Sequence, residues 1–277
     1  MSFVSFGDKS LDLSRPHVMG ILNVTPDSFS DGGAFTNLDK ALLQTQRMIA
    51  EGASIIDVGG ESTRPGAKPV SQQEELQRVV PVVEAIKQRF DTIVSVDTST
   101  PEVMQESIKQ GAGFINDVRA LTREGALDVV CQSGLPVCLM HMQGAPSDMQ
   151  RNPSYSSVCH DVFAFLLERA ELCLSLGIDR KSIILDPGIG FGKKLDHNLA
   201  LINNLRYLVD KGYEVLMGAS RKSMIGDVLN VEVEHRMYGS MGVNASAYAN
   251  GARLFRVHDV KAHWEMLELM YRIEREK

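Results

Sequence analysis

The feature that most constrains the fold is a repeated alternation of short apolar runs with longer segments of helical period. Because the hydrophobic residues in these runs are nearly continuous, the runs are typical of parallel strands buried on both faces of a sheet. The pattern therefore predicts a parallel α/β architecture with eight strands. The eight runs lie at 18–24, 54–60, 92–98, 113–118, 135–142, 182–188, 214–220 and 253–260.

Helical segments separate the runs, and several carry recognisable ends. Ser71 and Glu74 predict a capping box, and Pro101 predicts the first turn of a helix that ends at Gly111. Predicted helices also cover 38–51, 71–90, 155–176 and 261–275. No linker or low-complexity segment divides the 277 residues. We therefore expect one (β/α)8 TIM barrel domain, 1–277, with a short N-terminal β-hairpin, rather than a doubly wound sheet with a second domain.

Composition excludes several classes of function. A formal net charge of −6 argues against a nucleic-acid partner, although a small basic pocket remains compatible with it. No apolar run approaches the roughly 20 residues that span a bilayer, and the N-terminus lacks a secretory pattern. None of the four cysteines forms a C-x-x-C pair, so reduced thiols are expected. We expect a cytoplasmic protein with no membrane partner.

Each apolar run turns polar at or just beyond its C-terminal end. In a barrel these ends meet at one mouth, where polar groups are usually functional. Any single aspartate there is also compatible with a helix N-cap, but polar residues at all eight ends favour an active site. The residues are Asn23, Asp57 with Glu61, Asp97, Asn116 with Asp117, His141, Asp186, Ser220 to Lys222, and Arg256 with His258.

The chemistry of these ends indicates a planar, charged ligand. Asp97, Asn116 and Asp186 suit the donor-rich edge of a heterocycle, although the DPG sequence also allows Asp186 to initiate a turn. Lys222 is compatible with a Schiff-base nucleophile, a phosphate binder or a donor to a ring carbonyl. Arg256 and a histidine two residues later suit an anionic leaving group.

Two polar loops follow the first and second predicted strands. Residues 25–33 and 61–70 carry charge on a backbone rich in glycine and proline, which favours lids that close over a charged substrate. The segment 186–193, DPGIGFGK, is rich in glycine but lacks the spacing of a Walker motif. The sequence therefore predicts a lidded barrel enzyme rather than a nucleotide-binding fold.

Seven runs together resemble one enzyme family. The runs are MGILNVTPDSFSDGG, DVGGESTRPGA, SVDTSTPEV, GFINDV, LDPGIGFGK, SRKSMIG and RVHDV. In this order they are similar to the dihydropteroate synthases of bacterial folate biosynthesis. The resemblance implies joining of 6-hydroxymethyl-7,8-dihydropterin diphosphate to p-aminobenzoate in an SN1-like reaction, releasing pyrophosphate with Mg²⁺ as cofactor. It also implies a homodimer and a sulfonamide target.

The resemblance also implies a role for each matching residue. Asp31 would stand near the reacting methylene, and Asp31, Asp97, Lys222 and Arg256 form the implied catalytic set. The pterin would bind to Asp97, Asn116, Asp186 and Lys222, with Arg256 over the ring. The diphosphate would bind to Asn23, Arg256 and His258, and Asn23 would also hold Mg²⁺. The p-aminobenzoate site would comprise Phe29, Thr63, Arg64, Pro65, Phe191, Lys222 and Ser223.

Some positions depart from the family pattern, and other functions remain open. Ile189 stands where phenylalanine is common, and the predicted seventh helix within 239–255 carries polar residues and glycine where small apolar residues are usual. The resemblance places the dimer contact at that helix. A corrinoid-linked methyltransferase, a lyase using Lys222 and a non-catalytic pterin-binding barrel are the alternatives. The two lid sequences argue against the first, and the retained Arg64, Lys222 and His258 argue against the last.

Overall fold

The computed structural model describes residues 3–25, 34–62, 66–67, 70–146 and 148–276. The strands are β1 (Phe3–Phe6), β2 (Lys9–Asp12), β3 (His17–Asn23), β4 (Ala53–Gly59), β5 (Ile93–Asp97), β6 (Phe114–Asp117), β7 (Val137–Met140), β8 (Ile183–Asp186), β9 (Glu214–Met217) and β10 (Leu254–Val257). The last eight close into a barrel in the order β10-β3-β4-β5-β6-β7-β8-β9. Every neighbouring pair in the barrel is parallel. The predicted TIM barrel is confirmed.

Helices follow the barrel strands and surround the sheet. They are α1 (Ala34–Ala50), α2 (Gln72–Arg89), α3 (Pro101–Lys109), α4 (Ala126–Ser133), α5 (Val158–Ser175), α6 (Leu195–Asn203), α7 (Arg206–Asp210), α8 (Ser223–Leu229), α9 (Met237–Ala249) and α10 (Val260–Arg275). The predicted capping box is present at the start of α2, where Ser71 accepts from the Glu74 N–H and Glu74 accepts from the Ser71 N–H. None of the helices in the described part of the chain has the length and apolar character needed to cross a membrane.

The interior of the barrel begins with a layer of apolar side chains at the N-terminal ends of the strands. Each barrel strand contributes one of them: Met19, Ile55, Ile93, Phe114, Cys138, Ile184, Leu216 and Leu254. All eight are at most 2% exposed. This apolar layer forms the bottom of the barrel and is separate from the larger core between the sheet and the helices.

The N-terminal hairpin closes this bottom. Strands β1 and β2 pair antiparallel, as predicted, and Val4, Phe6 and Leu13 pack on the apolar layer. The Phe6 ring meets the Phe114 ring edge to face at a centroid distance of 5.2 Å. In the described part of the chain the hairpin therefore closes the N-terminal end of the barrel interior, and the polar strand ends lie at the opposite end.

Candidate active site

Two residues beyond the apolar layer, the barrel interior becomes polar. Residues two apart on a strand face the same side, so the residues two positions after Ile55 and Leu254 also point inward. They are Asp57 and Arg256. In the strand register Asn23 lies beside Gly59, which lies beside Asp97, which lies beside Asn116. On β4 and β10 the interior therefore changes from apolar to charged within two residues.

Arg256 connects the two buried aspartates. Its Nε donates to Asp57 Oδ2 at 2.6 Å, and its Nη2 donates to Asp97 Oδ2 at 2.7 Å. Asp57 also accepts from the Ser95 hydroxyl at 2.6 Å and from Asn116 Nδ2 at 3.3 Å. Five side chains from four strands thus form one hydrogen-bonded network at the mouth, which we call the Arg256 network.

Burial shifts the proton affinities in this network. Burial raises the pKa of Asp97 to about 7, although the Arg256 guanidinium acts in the opposite direction. Burial lowers the pKa of Arg256, but Asp57 and Asp97 more than compensate, so the pKa of Arg256 is raised overall. The guanidinium stays charged, while the Asp97 carboxyl is able to exchange a proton near neutral pH.

Asp186 lies at the end of β8 and faces the same mouth. Its Oδ1 accepts from the Gly188 N–H at 2.7 Å, so the residue initiates a turn as well as contributing a buried carboxylate. Burial raises the pKa of Asp186 to about 6, against the effect of the Gly188 N–H and the nearby Lys222. Gly188 packs so closely on β7 that a Cβ there would lie 1.9 Å from the His141 carbonyl oxygen.

A strained turn brings Lys222 to the mouth. Arg221 has a φ of 56°, a backbone angle that residues other than glycine rarely adopt. Both oxygens of Asp259 accept from its guanidinium, at 2.9 and 2.5 Å, and its N–H donates to the Ser240 hydroxyl at 2.8 Å. These contacts hold the turn so that Lys222 is the N-cap residue that precedes α8. Burial and the positive Arg256 lower the pKa of Lys222 to about 8.

The Lys222 ammonium faces an aromatic ring. Its Nζ lies 4.0 Å from the centroid of the Phe191 ring, and Phe191 is only 6% exposed. A cation at this distance from a ring is attracted by the π-electron face. The pair therefore forms an ordered wall next to the carboxylate of Asp186.

His258 and Asn23 complete the rim. His258 lies one residue beyond β10, and its Nδ1 is 3.0 Å from the Ser220 hydroxyl, which also accepts the His258 N–H at 3.1 Å. Asn23 is the last residue of β3 and is partly exposed. Within the described residues no group of three or more histidine, cysteine, aspartate and glutamate side chains is placed to hold a metal ion.

Comparison with known proteins identifies the family. A family model described as pterin binding enzyme matches residues 19–258. The dihydropteroate synthase of Haemophilus influenzae is 54% identical over 262 residues, which cover 95% of each chain. The chain belongs to the dihydropteroate synthase family.

Solved dihydropteroate synthases have the same fold. The Yersinia pestis enzyme, solved in complex with a sulfonamide drug, superposes with a TM-score of 0.93 at 51% identity and covers 99% of this chain and 100% of its own. The Xanthomonas albilineans enzyme, solved with 4-aminobenzoic acid, superposes with a TM-score of 0.92 at 43% identity and covers 99% of both chains. The resemblance inferred from the seven sequence runs is confirmed.

Within the described part of the chain, six of the predicted residues form two adjacent groups. Asp97, Asn116 and Arg256 belong to the Arg256 network, whereas Asp186 and Lys222 lie with Phe191 on the neighbouring wall. Ser223 is exposed at the first position of α8. Asn23 and His258 lie on the rim. Five other predicted residues lie outside the described part of the chain: Phe29, Asp31, Thr63, Arg64 and Pro65.

Three polar strand-end residues have partners elsewhere. Asp117 accepts from the Ser99 hydroxyl and from two backbone N–H groups in the turn after β6. Glu61 forms an ion pair with Arg119 at 3.2 Å. His141 contacts a buried lysine from the loop after β8. These side chains fix the loops around the mouth and do not join the Arg256 network.

Two residues of the site received no role from the sequence. Asp57 is fully buried and is the main acceptor of the Arg256 network, and its position two residues after Ile55 on an inward face was the available signal. Lys193 lies within the GFGK motif and is 3% exposed. Nothing in a single sequence distinguishes a buried lysine in such a loop from an exposed phosphate-binding one.

Proposed function

We propose that the protein condenses 6-hydroxymethyl-7,8-dihydropterin diphosphate with p-aminobenzoate to give 7,8-dihydropteroate and pyrophosphate. The observation that carries this proposal is the Arg256 network beside Asp186 and Lys222, at the mouth of a barrel that belongs to the dihydropteroate synthase family. The complexes of the Yersinia and Xanthomonas enzymes with a sulfonamide and with 4-aminobenzoic acid support the choice of the second substrate.

The buried floor suits a pterin. A pterin presents amino and ring N–H donors on one edge and a ring carbonyl beside them. Asp186 and Asp97 supply carboxylates for the donors, Asn116 supplies both a donor and an acceptor, and Lys222 supplies a donor for the carbonyl. We place the ring across these side chains with the Arg256 guanidinium over one face. Their burial makes each hydrogen bond stronger than the same bond in water.

The rim suits a diphosphate. Arg256 and His258 offer donors to its oxygens, and Asn23 offers an amide oxygen. Mg²⁺ prefers oxygen ligands and usually takes only one or two from the protein, with the others from substrate phosphates and water. Asn23 at the partly exposed end of β3 therefore fits a magnesium ion that is shared with the diphosphate. When bound, Mg²⁺ would supply positive charge that makes pyrophosphate a better leaving group.

The reaction needs little proton transfer at its start. The bond between the pterin methylene carbon and the diphosphate oxygen breaks, and the electron pair leaves with pyrophosphate. The amine nitrogen of p-aminobenzoate, which is neutral at pH 7, then forms the carbon–nitrogen bond and loses a proton. The protein's task is to stabilise the developing cation and to exclude water. We assign the first role to Asp31 and the second to the two predicted lid loops.

The proposed arylamine site is built on the wall that Phe191 and Lys222 form. We propose that p-aminobenzoate lies against Phe191 and Lys222, with its carboxylate reaching Ser223. Phe29, Thr63, Arg64 and Pro65 would complete the site from the two loops, as the family resemblance implies. Sulfonamides share the arylamine and the acidic group of p-aminobenzoate, so we expect them to compete with it.

Pyrophosphate release tests the proposal. The purified protein is incubated with both substrates and Mg²⁺, and pyrophosphate and dihydropteroate are measured together. We expect equal amounts of the two products, dependence on both substrates, and inhibition by a sulfonamide that more p-aminobenzoate relieves. Absence of both products at any protein concentration would refute the proposed function. A Lys222→Ala variant gives the matched control for background hydrolysis of the diphosphate.

We also propose that residues 1–277 form one domain, which assembles as a homodimer in the cytoplasm. An open apolar groove of about 390 Å³ lies between α6, α8 and α9, beside the exposed Val228 and Leu229. Within 239–255, the segment that departs from the family pattern, Asn244 and Tyr248 are buried and do not line this groove, whereas Gly242 does. The four cysteines are free thiols, which fits a reducing compartment. Sedimentation of Val228→Glu beside the unmodified protein tests the dimer, and only the variant should be monomeric.

A further inference from the structure

Three consecutive carbonyl groups in the loop after β8 are each held by a side chain. They belong to residues 190–192. Gln150 Nε2 donates to the first, Lys193 Nζ donates to the second at 2.9 Å, and the Tyr155 hydroxyl donates to the third at 2.7 Å. Gln150 and Tyr155 come from the segment that follows β7. This loop is therefore held by hydrogen bonds from the segment after β7 and by a hydrogen bond from its own Lys193.

Lys193 makes the central contacts. Its ammonium reaches three acceptors, namely His141 Nδ1 at 3.0 Å, the His141 carbonyl at 3.3 Å and the Phe191 carbonyl at 2.9 Å. Three N–H groups thus meet three acceptors inside the protein. Burial lowers the pKa of Lys193 to about 7, and burial together with Lys193 lowers the pKa of His141 to about 3, so the imidazole stays a neutral acceptor.

The carbonyl that Lys193 holds belongs to the residue whose ring faces Lys222. Phe191 is flanked by Gly190 and Gly192, which have φ values of 81° and 63°. Glycine on both sides leaves the local backbone with few preferences of its own. The orientation of the ring, 4.0 Å from the Lys222 ammonium, therefore depends on the contacts made to this loop by other residues.

The same segment after β7 also contacts the loop after β4. The Pro146 carbonyl accepts from the Gly66 N–H at 3.1 Å, and Gly66 belongs to the loop after β4 in which the family resemblance implies p-aminobenzoate contacts. The segment thus bridges two loops that the proposed substrate would touch. The hydrogen bonds of the Arg256 network, in contrast, include no residue of this segment.

We propose that Lys193 is a positioning residue for the arylamine substrate, holding the Phe191 carbonyl so that the Phe191 ring and the Lys222 ammonium form one wall of the p-aminobenzoate site. Tyr155 supports the same wall through the next carbonyl. This inference rests on the proposed function. It adds a determinant of arylamine affinity that does not itself touch the substrate.

Steady-state kinetics with Lys193→Met and Tyr155→Phe test the proposal. Losing the hydrogen bonds of the buried Lys193 amine is expected to raise KM for p-aminobenzoate about tenfold in Lys193→Met, and losing one hydroxyl bond to raise it about threefold in Tyr155→Phe. We expect kcat and the calorimetric affinity for the pterin diphosphate to change by less than about twofold. Lys193→Arg keeps the charge and a donor and should recover part of the loss.

Two controls separate positioning from general damage. Tyr213→Phe removes a hydroxyl near the start of β9, whose Glu171 contact is long at 3.4 Å, and should leave all constants unchanged. Thermal unfolding identifies variants that do not fold. If Lys193→Met does not fold, Tyr155→Phe tests the positioning role instead, because the loss of a single oxygen atom is expected to leave the fold intact.

The outcomes distinguish this inference from the proposed function. If the unmodified protein forms no product, the proposed function fails and this inference fails with it. If the unmodified protein is active but the folded variants keep their KM for p-aminobenzoate, only this inference is overturned. Equal losses for both substrates would likewise overturn it, since they would indicate a general structural role.

Discussion

At the bottom of the barrel the strands bring apolar side chains together. Two positions further along, β4 and β10 bring charged side chains together. Ile55 and Leu254 belong to the apolar layer, and Asp57 and Arg256 follow them. Ion pairs also occur at the bottom, but there they lie on the outside, as between Lys87 and Asp8 at 3.0 Å. The two ends thus use the same backbone for opposite purposes.

The proton affinities show what this difference means. At the mouth, burial raises the pKa of Asp97 to about 7 and lowers that of Lys222 to about 8, so each group has lost some preference for its charged form. At the bottom, the hydrogen bond from Lys87 lowers the pKa of Asp8, so that carboxylate gains from folding. The bottom of the barrel therefore stabilises the fold, whereas the mouth keeps buried charged groups that oppose folding and that we expect to bind the substrate.

The largest effect is expected at the bottom. Phe114→Ala should lower the free energy of unfolding by about 3–5 kcal/mol, because it opens a cavity in the apolar layer under the hairpin. Urea denaturation followed by circular dichroism measures this loss. Calorimetry on the folded variant should show unchanged affinity for the pterin diphosphate. A tenfold loss of affinity would mean that the two ends are coupled and would break the comparison.

Arg256→Leu should cost about 3 kcal/mol near pH 8, because it leaves Asp57 and Asp97 buried without their cation. The cost should be smaller near pH 5. The folded-state pKa of Asp97 lies above its usual 3.8, so the folded protein binds a proton there and loses stability as the pH rises through 7. Denaturation at both pH values measures the difference. Adding Asp97→Asn to Arg256→Leu should recover part of the lost stability. If it recovers none, the unpaired Asp97 carboxylate is not the source of the cost.

Lys222→Met should separate stability from function. We expect the free energy of unfolding to rise by about 1 kcal/mol near pH 7, because a charge that burial disfavours is removed. The pterin diphosphate affinity should fall at least about tenfold. The stabilisation should shrink as the pH rises above the folded-state pKa of about 8 and should vanish only above the ordinary pKa of 10.5, where the unmodified lysine is neutral in the unfolded protein as well. A variant less stable than the unmodified protein at pH 7 would contradict this account.

The smallest effect is expected for Asp8→Asn. An exposed ion pair contributes little, so the loss should stay within about 0.5 kcal/mol. Its pH dependence should be opposite in sign to that of Asp97, since the folded-state pKa of Asp8 is lowered and the contribution vanishes as the pH falls below 4. High salt should further reduce the contribution of the ion pair between Asp8 and Lys87. A loss that persists at acid pH would indicate packing rather than charge.

Features set by short-range sequence were predictable, and features set by distant partners were not. The capping box of Ser71 and Glu74 depends on residues three apart, and the barrel strands follow from apolar runs of the right length. The bond between Arg256 and Asp57 joins residues 199 positions apart, so no local pattern announces it. Asp117 was grouped with Asn116 at the mouth, although neighbouring residues on a strand face opposite sides.

The close packing of Gly188 has a consequence for how this site is able to evolve. The Cβ of any other residue at 188 would clash with the His141 carbonyl oxygen. That residue would also need a φ of 68°, which residues other than glycine rarely adopt. A compound that contacts the backbone at this point would meet a surface that single substitutions at 188 cannot remodel without disrupting the junction of two strands. Escape from such a compound would have to arise from side chains around it, most directly at Phe191.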